Sequence, residues 1–236
     1  MPTVNKPVLQ VHAPNGPVRA VALVLHGGRS KGLGRVNSLQ LAVLRMRPFV
    51  SGLRRAGADD GLAVASLRYA VRGWNGAAKS PVPDAQWALD QLTERFPDTP
   101  VALVGHSMGG RAALHVAGHP SVRAVVGLAP WLEPGDPVAQ LAGRRVLIVH
   151  GALDRMTDPS ASAAYARAAE SVAATVTYVR VQGERHAMLR RAAVWHRLAS
   201  GFVLAVVCGR PPRGTASDQT TNVLSMALAG QAALVV

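Results

Sequence analysis

The stretch VALVGHSMGG, residues 101–110, ends an apolar run on a serine set among glycines. Val101 to Val104 are continuously apolar, which suits a strand covered on both faces, as in a parallel sheet. The residues that follow, MGGRAALHVAGHP, read as a helix. Between the two, Gly105, Ser107 and Gly109 make the pattern G-x-S-x-G, and Gly110 adds further room. Small residues two positions either side of the serine permit a sharp strand-to-helix turn in a strained backbone conformation. Such a turn lifts the hydroxyl clear of the sheet. It also aims the first helix amides at the space above it, where negative charge is favoured. A serine in that position is also a plain helix cap, so the rest of the chain has to decide between cap and nucleophile.

Working outward, apolar runs with strand character lie at 18–28, 61–70, 99–106, 122–130, 143–151 and 174–183. Several are continuous rather than alternating. Most intervals between them read as helices. Residues 38–57 are long and apolar-periodic despite Pro48, and 81–97 carry prolines at entry and exit, where they mark helix ends. Residues 158–171 and 186–207 complete the set. The alternation defines an α/β class: a doubly wound, mostly parallel central sheet with helices on both faces. Residues 1–208 read as one domain. After Cys208 the segment GRPPRGTASDQTTN is rich in Gly, Pro, Ser and Thr, so 209–236 read as a linker and an apolar C-terminal tail. That tail is open to packing back, pairing with another subunit or staying loose.

The chain has 26 Lys and Arg against 13 Asp and Glu, a formal net charge of +13. An excess of this size can signal a polyanionic partner. Lysine, however, occurs only at Lys6, Lys31 and Lys79, and the arginines are scattered, with short pairs such as Arg54-Arg55, Arg144-Arg145 and Arg190-Arg191. This favours a dispersed basic surface over a nucleic-acid groove. The single cysteine, Cys208, excludes an internal disulfide and fits a reducing compartment. The N-terminal residues have no apolar signal-type region, and no apolar run is long enough to span a bilayer. A cytoplasmic protein without a membrane span is expected.

Three more motifs fall near strand ends, where sites form in open α/β sheets: HGG at 26–28, HGALDRMTDP at 150–159 and GERHAML at 183–189. With GHSMGG at 105–110, they make the chain from about Val18 to about Val207 resemble the α/β-hydrolase superfamily, in its order of oxyanion loop, nucleophile, acid and histidine. The resemblance implies that Ser107 is the nucleophile. It implies Asp154 as the acid, because His-Gly, two residues, then Asp matches His150 to Asp154. Asp158 precedes Pro159 and reads instead as the cap of the next helix. His186 is then the base that takes the Ser107 proton and returns it to the leaving group, with Asp154 fixing its tautomer. His196, within an apolar helix, reads as structural, and His106 as a packing residue. The backbone amides of Gly28 and Met108 are the implied oxyanion donors.

A serine at the elbow implies acyl transfer through an acyl-Ser107 intermediate, from a small-molecule ester or thioester, with water as the usual acceptor. A non-catalytic scaffold and an acyltransferase are the competing readings. Only WLEPGDPVAQLA separates two successive strands where many relatives insert a lid, so an open cleft is expected. Arg29, Trp74, Trp131 and Met156 are candidate wall residues of the substrate site. No cofactor is implied and no metal, because the histidines lack a partner set such as H-E-x-x-H and one cysteine cannot build a zinc site. The segment GGRSKGLG lacks the phosphate-loop pattern and reads as a mobile loop beside the oxyanion donors. Oligomeric state is left open.

Overall fold

The computed structural model describes residues 5–214 and 218–236. Eight strands form one sheet: β1 (Val8–His12), β2 (Ala20–Leu25), β3 (Leu62–Arg68), β4 (Val101–His106), β5 (Val122–Leu128), β6 (Arg145–Gly151), β7 (Thr175–Val181) and β8 (Ala233–Val235). Their spatial order is β1-β3-β2-β4-β5-β6-β7-β8. β1 runs antiparallel to β3, and the remaining pairs are parallel.

The helices are α1 (Leu41–Leu44), α2 (Arg47–Ala56), α3 (Pro81–Arg95), α4 (Met108–His115), α5 (Pro159–Ala169), α6 (Ala192–Val207) and α7 (Gln219–Leu228). Strand side chains alternate between faces, and β2 shows what that does here. Ala20, Ala22 and Val24 join a core with Phe49 and Leu53 of α2, Trp195 and Phe202 of α6, and Leu224 of α7. Val21, Leu23 and Leu25 join a second core with Leu89 of α3, Leu114 of α4 and Tyr165 of α5. Both faces are covered, so the strand is apolar at every position.

Two expectations are corrected. The single helix read over 38–57 is two, α1 and α2, because Pro48 lies in the first turn of α2. Proline has no N–H to give to the preceding turn, but a helix start needs none there. The segment after Cys208, read as linker and tail, carries α7 and β8 on the same core. Asp218 caps α7 by accepting the Thr220 N–H, Val223, Leu224 and Ala227 pack with the α6 core, and β8 pairs with β7 from Tyr178↔Ala233 to Arg180↔Val235. Residues 215–217 of the linker reading lie outside the described residues.

Candidate active site

Ser107 stands between β4 and α4 with φ 55° and ψ −119°. A non-glycine residue reaches that region only where its surroundings enforce it. The Ser107 N–H donates to the Leu128 carbonyl at 3.0 Å, and the Ser107 carbonyl accepts from the Arg111 and Trp131 N–H groups at 3.1 Å each. The flanking glycines let the backbones close in. A Cβ on Gly109 would lie 2.5 Å from the carbonyl oxygens of Leu25 and His26, and one on Gly105 would meet the Gly109 carbonyl.

Asp154 follows β6 and is buried. Its Oδ2 lies 2.7 Å from His186 Nδ1, 3.1 Å from His150 Nε2 and 2.9 Å from Thr157 Oγ1. Its Oδ1 accepts the N–H groups of Met156 and Thr157 at 2.8 and 3.1 Å. Burial alone would raise this carboxyl's pKa. The hydrogen bonds from His150, His186 and the two amides outweigh burial and hold it well below the usual carboxylate range. Asp158 sits at the N-cap of α5 and accepts the Ser160 N–H at 2.8 Å.

His186 is held from several sides. Its carbonyl accepts from His106 Nε2 at 3.1 Å, the two rings lie 4.7 Å apart, and Arg45 donates to the next carbonyl, Ala187. Burial, then the neighbouring His186, pushes the His106 pKa down to about 3, so His106 is neutral. Upstream, the buried Glu184 accepts from the N–H groups of Arg185 and Arg191 at 2.9 and 2.8 Å. The Glu184 carbonyl accepts the Leu153 N–H at 2.8 Å and so joins the acid loop to the histidine loop. Among the described residues Ser107 Oγ has no hydrogen-bond partner.

Met108 is the first residue of α4, so its N–H has no partner inside the helix. The Gly28 N–H likewise has none among the described residues. The two residues adjoin: a Cβ on Gly28 would run into the Met108 side chain and lie 2.6 Å from the Arg72 carbonyl. A cavity of about 340 Å³ opens here, lined by Gly27, Gly28, Arg29, Val36, Leu41 and Arg72. The loop read as mobile is stitched to the β3–α3 segment. The Arg29 N–H donates to Arg72 O at 3.0 Å, the Trp74 N–H to Arg29 O at 2.9 Å, and the Gly32 N–H to Asn75 Oδ1 at 2.8 Å. Burial pushes the His26 pKa down to about 4.

The candidate wall residues separate. Arg29 is exposed and lines the cavity beside Gly28. Met156 is 78% exposed, whereas Trp74 is only 3% exposed. Trp74 and Trp131 instead clamp a cation absent from the sequence reading, Arg111 of α4. Its guanidinium lies 4.3 Å from the Trp74 ring centre and 4.9 Å from that of Trp131. Arg111 also bonds Asp136 at 2.9 Å and Glu133 at 2.8 Å, while His115 Nε2 lies 2.9 Å from the same Asp136 oxygen. Between β5 and β6, where a lid would stand, only a single 3-10 turn (Ala139–Leu141) occurs. Among the described residues, no group of three His, Cys, Asp or Glu is placed to hold a metal ion. No helix there is long and apolar enough to cross a membrane.

Comparison with known proteins agrees with this architecture. The family described as serine aminopeptidase S33 matches residues 68–145. No curated protein sequence matches the chain. Among solved structures, a putative α/β hydrolase of unknown function from Agrobacterium tumefaciens superposes with a TM-score of 0.66 at 14% identity, covering 88% of this chain and 94% of its own. An α/β serine hydrolase without lid from Xanthomonas campestris gives 0.63 at 16% identity, covering 85% and 91%. Est1E from Butyrivibrio proteoclasticus gives 0.63 at 15% identity, covering 84% and 93%. The chain has the α/β-hydrolase fold.

Proposed function

We propose that the protein is a serine hydrolase that cleaves small carboxylic esters or thioesters through an acyl-Ser107 intermediate. The observation that carries this reading is the 2.7 Å bond between Asp154 and His186 at the edge where β4 delivers Ser107 in its strained turn. His186 takes the Ser107 proton as the hydroxyl attacks the carbonyl carbon, then gives it to the departing oxygen or sulfur. Water, deprotonated by the same imidazole, releases the acid. Asp154, kept ionised by its donors, holds the imidazole with Nδ1–H toward itself and Nε2 free. The amides of Gly28 and Met108 receive the developing oxyanion. The short β5–β6 segment and the cavity beside Gly28 favour a small or exposed acyl group. Water as acceptor, action in the cytoplasm and the absence of a cofactor are parts of the same proposal.

The serine aminopeptidase match favours one second reading, hydrolysis of an aminoacyl amide by the same groups. A fluorophosphonate probe tests the shared claim: labelling of the native chain and none of Ser107→Ala is expected. A panel of p-nitrophenyl esters beside aminoacyl p-nitroanilides then separates the two. Turnover of the anilides alone would sink the ester reading, and an unlabelled native chain would sink both.

A further inference from the structure

A second cavity, of about 280 Å³, lies between the sheet edge and α2. It adjoins the cavity beside Gly28 and shares His26 with it, with α1 between them: Gln40, Leu41 and Ala42 face the cavity beside Gly28, while Val43 and Met46 face this one. Gly27 and Gly28 do not line it. Its floor departs from the rule that a helix-covered sheet face is apolar. Gln10, Ser66 and Val24 are in register across β1, β3 and β2, and His12 and Arg68 extend the polar row. Arg47, Ser51 and Arg54 of α2 close over it.

The lining has no carboxylate. Arg68 and Arg47 each donate only to a backbone carbonyl, those of Val36 and Ser38. Arg54 has no ion pair or hydrogen bond among the described residues, and neither have the side chains of Gln10, Ser51 or Ser66. Asp59 lines the adjoining groove with His12 and Arg54 but pairs with neither. Burial, and secondarily the Arg54 charge, lowers the His12 pKa, as expected where positive charge goes uncompensated. Against this, Val24, Val50 and Met46 supply an apolar end.

We propose that this cavity binds a small amphipathic organic anion, with the headgroup held by Arg47, Arg54 and Arg68 and a short alkyl chain laid against Val24, Val50 and Met46. Guanidinium groups recognise carboxylate and phosphate alike, so hexanoate and hexyl phosphate are the probes, with 1-hexanol as the uncharged counterpart.

Isothermal titration calorimetry on the full chain tests the site without reference to hydrolysis, so its failure leaves the serine hydrolase reading standing. We expect at least one of the two anions to bind at a single site and hexanol not to bind. Arg47→Gln/Arg54→Gln should weaken the anion by about tenfold or more, since two charged partners are lost. Arg167→Gln, on the opposite face of the sheet, should leave it unchanged. The two anion arms report whether carboxylate or phosphate is preferred. Ser66→Leu, which fills the floor without touching an arginine, should abolish binding and serves if the double variant melts early. The proposal is overturned if neither anion binds, if hexanol binds equally, or if the arginine variants bind as tightly as the native chain.

Discussion

His150 Nε2 lies 3.1 Å from Asp154 Oδ2, so the carboxylate that meets His186 is also held by the buried imidazole four residues before it. The other nitrogen of that imidazole, Nδ1, lies 2.8 Å from Ser162 Oγ. An ionised Asp154 can only accept, so the imidazole proton sits on Nε2 and Nδ1 accepts from the Ser162 hydroxyl. Partners behind such a carboxylate help to orient it. His150→Leu should therefore lower kcat/KM by about tenfold or more, within the range that supporting partners of a site command. The protein should stay folded, which a circular dichroism melt checks. An unchanged kcat/KM would make His150 a mere core residue.

The same carboxylate predicts a pH dependence of stability. Asp154 has a folded-state pKa below its unfolded value of about 4. The stabilisation it gives is fully present above that value and disappears as pH falls through the folded pKa. Asp154→Asn should be less stable at neutral pH and should lose less additional stability than the native chain on acidification below about pH 4. Urea midpoints measured across that window test it, and parallel curves for the two proteins would refute it.

Six strands and the four motifs at their ends were legible from the sequence because each has a local cause. Continuous apolar residues mark strands covered on both faces, and glycines mark turns that crowd backbones together, as Gly109 does against Leu25. The supporting groups were not legible, because partners far apart in sequence define them. His150 read only as part of the motif leading to Asp154, and Glu184 carried no reading of its own. The tail was misleading for a related reason: α7 has an apolar stripe, but only α6 and β7 tell it where to lie.

Arg111 makes a separate, energetic prediction. The residue is 6% exposed and shares Asp136 with His115. Burial would raise the Asp136 pKa, but bonds from His115, the Glu133 amide and Arg111 reverse this and lower it. Arg111→Met should destabilise by about 3 kcal/mol or more, because it strands a buried carboxylate. Arg111→Met/Asp136→Leu should recover much of that loss, since replacing both ions by apolar groups is often neutral. Urea unfolding of the two variants decides. Equal loss in both would show that the tryptophan stacking, not the charge pair, carries the energy.

The elbow sets a steric limit. Gly109→Ala should destabilise by about 1–3 kcal/mol, the usual effect of forcing extra volume into a packed site, because the new methyl would sit against Leu25 and His26 carbonyls. Ser107→Ala, by contrast, should fold normally and only lose probe labelling. A Gly109→Ala chain with native stability and native labelling would contradict the tight turn described here.

With no helix between β5 and β6, there is nothing to open at an oil–water interface. Hydrolysis of a short-chain triglyceride should rise smoothly through the solubility limit. A sharp jump in rate above it would mean that another segment covers the cleft.

The last strand, β8, has a role quite apart from chemistry. Three residues long, it borders the sheet and leaves β7 with a neighbour on each side. Shorn of α7 and β8, the molecule would present β7 as a raw margin of free amides and carbonyls, an invitation to strands from other molecules. Clipping at Arg210 should therefore show itself first as turbidity and oligomers in light scattering, with loss of turnover trailing behind.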